Sequence, residues 1–176
     1  SIARPNAEVD ESDPAVGDLD VLDVSGVTHL LGRNSATTLI DANGIDRVFY
    51  AGGRGLAVRN LTIRGGNAAY IARPNPGIED HIGDGGGVAV ARSFVAVDSI
   101  VEQNYAVSLG GGISADENAS VELTDTHVRR NSSGEGGGVW IGEDAALVAQ
   151  GGSFFDNDAT TDGGGLYFSE SGYVRV

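Results

Sequence analysis

The strings DGGGVAV (84–90), LGGGISA (109–115), EGGGVWI (135–141) and DGGGLYF (162–168) are four versions of one segment, set 25, 26 and 27 residues apart. Self-similarity at a fixed period of this size is the signature of a repeat architecture. After each glycine triplet the apolar residues alternate: Val88 and Val90, Ile113 and Ala115, Val139 and Ile141, Leu166 and Phe168. A period of two places each pair on one face of a short strand.

Upstream of the last three triplets stand Asn104, Asn131 and Asn157, and before each asparagine lies a second apolar stretch. Aligning those stretches gives columns of like character. One holds Phe94, Val121 and Leu147, a second Ala96, Leu123 and Ala149, a third Val101, Val128 and Phe155. Short strands, frequent turns and a period near 26 describe one circuit of a parallel β-helix, in which successive coils stack about 4.8 Å apart. Aligned asparagines in such a stack can hydrogen-bond up and down their column and satisfy turn backbone. Helical repeats need a helical period, which no stretch sustains, and propeller blades run to roughly 40 residues or more. The expected fold is all-β: a single-stranded right-handed parallel β-helix of about six coils, the hand following from strand twist and crossover geometry.

Two stretches depart from the repeat. If Asn67 belongs to the asparagine column, its triplet is due near position 73 but arrives at Gly85, so YIARPNPGIEDHI (70–82) reads as a loop insertion, near 70–83. Residues 1–16 are polar, carry two prolines and read as an N-terminal arm ahead of a β-helix domain spanning 17–176.

From Gly17 onward the chain resembles bacterial cell-surface proteins with right-handed β-helices, of the polymorphic outer-membrane-protein and pectate-lyase-like kind. The stretch GDLDVLDVSGVTHLLGRNSATTLIDANGIDRVFYAGGRGLAVRNLTIRGGNA (17–68) looks like their leading coils, and the later N-x-A…GGGI coils complete the likeness. The resemblance implies the fold and a place outside the cell or on its surface. It implies no particular chemistry.

Composition excludes several partners. The 25 acidic residues outweigh 11 basic ones, all of them Arg, for a formal charge of −14. Such a surface repels nucleic acid and anionic membranes. No apolar run approaches the roughly 20 residues of a membrane helix, so no membrane insertion by a helix is expected. Cysteine is absent, which leaves no thiolate site.

Candidate chemistry is sparse. Lyases of this fold use acidic Ca²⁺ sites and a basic residue; here Arg129 or Arg130 would have to act as the base. Asp156, Asp158 and Asp162 place oxygen ligands close in sequence, which suits Ca²⁺, although their spacing matches no calcium loop and solvated turn aspartates are the simpler reading. No other cofactor is expected. His29, His81 and His127 are scattered, and a phosphate loop would need a Lys and a following helix. Ala89, Ser114, Trp140 and Tyr167 fall at outward positions after the triplets, so Trp140 and Tyr167 would stack on an exposed face able to take a sugar ring or a partner protein.

The ends carry the remaining signal. The last coil stops at Val176, partway through its second strand, so either the chain continues in a longer protein or another molecule continues the stack. The pentapeptide IARPN occurs at 2–6 and again at 71–75. Together these point to head-to-tail contact between copies, using Ile2, Ala3, Arg4, Pro5 and Asn6 at one end and Tyr173, Val174 and Val176 at the other. The expected function is a secreted, non-enzymatic structural protein that assembles into a fibre or surface scaffold. The alternative is a polysaccharide-binding adhesin module excised from a larger surface protein, with a polysaccharide lyase or hydrolase behind it.

Overall fold

The computed structural model describes residues 2–3, 19–23, 25–68 and 83–176. Within them the chain is a parallel β-solenoid of about five turns, without a helix. β21 and β22 open a partial further turn, where the triplet spacing suggested about six coils.

Four strand columns run along the stack. The first is β2 (Leu19–Asp20), β5 (Phe49–Ala51), β9 (Val88–Val90), β13 (Ile113–Ala115), β17 (Val139–Ile141) and β21 (Leu166–Phe168). The second is β3 (Thr28–Leu31), β6 (Leu56–Arg59), β10 (Ser93–Val97), β14 (Ser120–Thr124), β18 (Ala146–Gln150) and β22 (Tyr173–Arg175). The third is β1 (Ile2–Ala3), β4 (Leu39–Asp41), β7 (Thr62–Arg64), β11 (Ile100–Glu102), β15 (His127–Arg129) and β19 (Ser153–Phe155). The fourth is β8 (Asn67–Ala68), β12 (Tyr105–Ala106), β16 (Ser132–Ser133) and β20 (Asp158–Ala159). Each strand pairs in parallel with the equivalent strand one turn away.

Alternation decides what fills the interior. Val88, Val90, Ile113, Ala115, Val139 and Ile141 are all fully buried, and so are Phe94, Ala96, Val101 and Leu147. The third apolar column closes on Phe154 rather than Phe155. Val128 pairs with Phe154, which packs on the core, while Phe155 beside Arg129 points outward and is 37% exposed. The spacing agrees with the register: Val101, Val128 and Phe154 each stand three residues before a column asparagine, whereas Phe155 stands two before.

Corners are built from residues in the left-handed region. Between the second and third columns these are Asn60 (φ 58°), Asp98 (50°), Asp125 (46°) and Gly151 (70°). Between the third and fourth they are Gly65 (68°), Gln103 (56°), Arg130 (53°) and Asp156 (54°). Asn, Asp and Gly tolerate this conformation with the least strain, and a stack that repeats the corner must repeat that tolerance.

The glycine triplets turn the fourth corner. Their first members, Gly85, Gly110, Gly136 and Gly163, are left-handed at 59° to 67°. Their later members permit close approach between rungs. A Cβ on Gly112 would stand 2.5 Å from the carbonyl oxygen of Gly138, and one on Gly137 would stand 2.6 Å from that of Gly164. Both are backbone atoms that cannot yield.

Nineteen residues separate β8 from β9, against six between β12 and β13. The extra length is the expected insertion; residues 69–82 lie outside the described residues, as do Arg4, Pro5, Asn6 and the rest of the arm to residue 18. Asn67 is not the asparagine-column member of its turn. Tyr105 pairs with Asn67, so Gly66 is the residue opposite Asn104.

Candidate functional surfaces

Asn104, Asn131 and Asn157 sit at the corner after the third column, one above another. Asn104 donates from its backbone N and from Nδ2 to Asn131 Oδ1, at 3.1 and 3.0 Å. Asn131 makes the same pair of bonds to Asn157 Oδ1. The remaining Nδ2 hydrogens go to carbonyls on the previous turn: Ile63, Val101 and Val128. At the lower end the backbone N of Gly66 donates to Asn104 Oδ1 at 2.9 Å. At the upper end Asn157 repeats the donor geometry, with no Oδ1 above it among the described residues.

A second polar column escaped the sequence reading. On the outer face of the third column Asp41, Arg64, Glu102, Arg129 and Phe155 follow one another in register. Arg64 Nε meets Asp41 Oδ2 at 2.8 Å, Arg129 Nε meets Glu102 Oε2 at 2.7 Å, and the Arg129 guanidinium lies over the Phe155 ring at 5.7 Å. The signal was present: Glu102, Arg129 and Phe155 each stand two residues before a column asparagine. Arg129, one of the two arginines that lyase chemistry would need as a base, is held in an ion pair. Arg130, at the corner, is half-exposed and 4.0 Å from Glu102.

Trp140 and Tyr167 pair in register on the outer face of the first column, below them Ser114, Ala89 and Tyr50. The face is not the open, flat one expected. Ala89 and Ser114 are buried, Trp140 and Tyr167 are half-buried, and Trp140 Nε1 is shielded from solvent without a hydrogen-bond partner among the described residues. Position along the strand set the direction of these side chains, but not what lies over them.

Asp156, Asp158 and Asp162 are all exposed and occupy separate places: the left-handed corner, the outer face of β20 and the approach to the next triplet. Among the described residues no three His, Cys, Asp or Glu side chains converge as a metal site. Asp23 has its carboxyl held below the usual range by the Ser25 hydroxyl and backbone N–H, a local turn on the exposed surface.

Large exposed hydrophobic side chains gather at the two ends of the stack. Leu19, Leu22, Val27 and Leu31 belong to the first turn; Phe155, Phe168, Tyr173 and Val176 belong to the last. Only Tyr105 and Val107 fall between them among the described residues. Leu166 and Val174 point inward but are incompletely covered. Ile2 and Ala3, assigned from the sequence to contact with a neighbouring copy, form β1 and pair with Ile40 and Asp41 of their own chain.

Fold and surfaces define a parallel β-solenoid with an asparagine ladder at one corner and a charged ladder on the outer face of its third strand column. No protein-family model, curated protein or solved structure matches this chain.

Proposed function

We propose that this chain is a non-enzymatic structural solenoid outside the cell, extended end on by parallel strands laid over its last rung and supplied by another copy of itself. One observation carries the reading. Gly112 and Gly138 must be glycine because the next rung leaves no room for a Cβ, yet a Cβ on Gly165 would meet nothing nearer than Phe154 Cβ at 3.9 Å. Glycine at Gly165 has a steric reason only if a further rung covers it. Asn157 supports the same conclusion, since its backbone N and Nδ2 repeat the donors that Asn104 and Asn131 use upward. The apolar rim of Phe168 and Tyr173, 55% and 58% exposed, would be buried by that rung.

An uncovered β edge recruits strands, and a head-to-tail contact that does not close produces a filament. The high net negative charge keeps lateral association in check while end-on contact proceeds through backbone and apolar groups. The resemblance to bacterial surface β-helix proteins supports an extracellular setting.

Gly165→Ala separates this reading from its rivals. In the isolated chain the added methyl has space, so the unfolding midpoint should stay unchanged. Between stacked rungs it would strike a backbone carbonyl. Sedimentation velocity and negative-stain electron microscopy across a concentration series should show end-on assembly for the natural chain and none for Gly165→Ala. A natural chain that stays monomeric throughout would refute self-assembly.

A further inference from the structure

Along the corner between the third and fourth columns each turn presents a side chain at the left-handed position: Gln103, Arg130, Asp156. One turn earlier that position is Gly65, followed by Gly66. Gly65 interrupts the ridge beside a notch of about 550 Å³, while Gly66 is glycine for a different reason, the close approach of the Gly86 carbonyl. The floor of the notch is glycine backbone, and Asn43 and Gln103 rise on the turns to either side, two rungs or roughly 10 Å apart. Tyr105, 42% exposed, stands at its flank.

The chemistry of the lining is specific. Among the described residues that line it Asp41 supplies the only formal charge, and that charge is already met: Oδ2 accepts from Arg64 Nε at 2.8 Å and Oδ1 accepts from the Asn43 backbone N at 2.9 Å. Asn67 is fixed by donating Nδ2 to the Gly44 carbonyl at 3.2 Å. The side-chain amides of Asn43 and Gln103 are exposed and make no hydrogen bond among the described residues. The notch thus offers two primary amides, each a donor and an acceptor, around an accessible aromatic ring, with no net charge to attract an ion. Pairs of hydroxyl groups match such amides, and the C–H face of a pyranose ring matches the face of Tyr105.

We infer that this notch binds a neutral saccharide, stacked on Tyr105 and hydrogen-bonded by Asn43 and Gln103. It is distinct from the Trp140–Tyr167 column and independent of end-on assembly. A peptide is a poorer fit: the described residues that line the notch form no apolar pocket for a side chain.

The test uses the intact chain titrated with gluco-, xylo-, manno- and chito-oligosaccharides, with uronate oligomers and an unrelated neutral peptide as comparators. Binding is read from backbone amide shifts and calorimetry. At least one neutral oligosaccharide should move the amides of Asn43, Gly65, Gln103 and Tyr105. Tyr105→Ala should weaken it about tenfold, the scale of a lost aromatic contact. Gln103→Gly, which keeps the left-handed corner, should also weaken it, while Tyr173→Ala and Gly165→Ala should not. The proposal is overturned if no neutral oligosaccharide shifts these amides, if Tyr105→Ala and Gln103→Gly bind as the natural chain does, or if the uronates or the peptide bind more tightly.

Discussion

Removing the side chain of Asn131 should cost more stability than removing any other polar side chain on the corners. Asn131 is 1% exposed and takes part in four side-chain hydrogen bonds. In Asn131→Ala the Asn104 Nδ2 keeps the Ile63 carbonyl, and Asn157 Oδ1 keeps the Asn131 backbone N. The Asn104 backbone N–H loses its partner and the Val101 carbonyl loses one donor, both away from water. At 1–3 kcal/mol for an orphaned buried group, the expected loss is about 3 kcal/mol. Asn157 is only half-buried, so water replaces its bonds and Asn157→Ala should cost about 1 kcal/mol. Urea unfolding followed by Trp140 fluorescence and far-UV circular dichroism measures both. Asn131→Asp adds a test of sign. The new carboxylate would still accept from Asn104, but would face the Val101 carbonyl and Asn157 Oδ1, two acceptors where donors are required. Its protonated form is then favoured in the folded state, and its pKa rises above the unfolded value of about 3.9. Relative to the natural chain, Asn131→Asp should be least impaired below about pH 4 and lose stability as pH rises through the folded-state pKa. Equal losses for Asn131→Ala and Asn157→Ala, or a deficit for Asn131→Asp that does not change with pH, would refute the ladder as the element holding this corner.

Three further outcomes follow from packing and charge. Gly112→Ala should abolish the native unfolding transition, because the methyl meets the Gly138 carbonyl at 2.5 Å, whereas the equivalent Gly165→Ala should leave the monomer's midpoint in place. Arg129→Ala, which leaves the nearly buried Glu102 with only distant Arg130, should lower stability by about 3 kcal/mol, while Arg59→Ala at the exposed Arg59–Asp98 pair should change it by less than about 0.5 kcal/mol. Leu147→Ala in the core should cost about 3 kcal/mol by urea midpoint, whereas Phe155→Ala should cost under about 1 kcal/mol, since its ring only caps Arg129 from outside.

The architecture was legible because a solenoid writes its contacts into one dimension. Residues one period apart touch, so the triplets, the alternating valines and isoleucines and the three asparagines could be aligned by inspection. Reading failed where a neighbour of a column position resembled its members. Phe155 is as apolar as the column requires, but Phe154 keeps the three-residue offset of Val101 and Val128 from their asparagines, and Asn67 resembles a column asparagine although Gly66 holds that place. It failed also where the period was interrupted. Asp41, Arg64 and Glu102 are spaced by 23 and 38 residues, because turns differ in length and the long link before β9 intervenes. The notch beside Tyr105 was invisible for a related reason. It lies where Gly65 interrupts the row of corner side chains, and a missing side chain in a glycine-rich sequence reads as one more turn.

The two polar ladders supply what the apolar columns lack. Along any strand, a slip of two residues returns inward side chains to the core: Phe94 would face Leu123 instead of Val121, and the interior would still be apolar. Period-two burial therefore leaves a family of registers of similar energy. The ladders remove that degeneracy. A two-residue slip at β11 against β15 would set Glu102 beside Asn131 and remove it from Arg129, stranding a mostly buried carboxylate and breaking the bidentate use of Asn131 Oδ1 together. Each broken contact costs on the order of 1–3 kcal/mol, and both fail in the same step. Burial makes the coils stack, and the asparagine and charge columns determine which residue stacks on which. The same rule extends to any added rung. One that brought an acceptor over Asn157 and packed its backbone closely on Gly165 would lock in register, whereas one that merely covered Phe168 would slide.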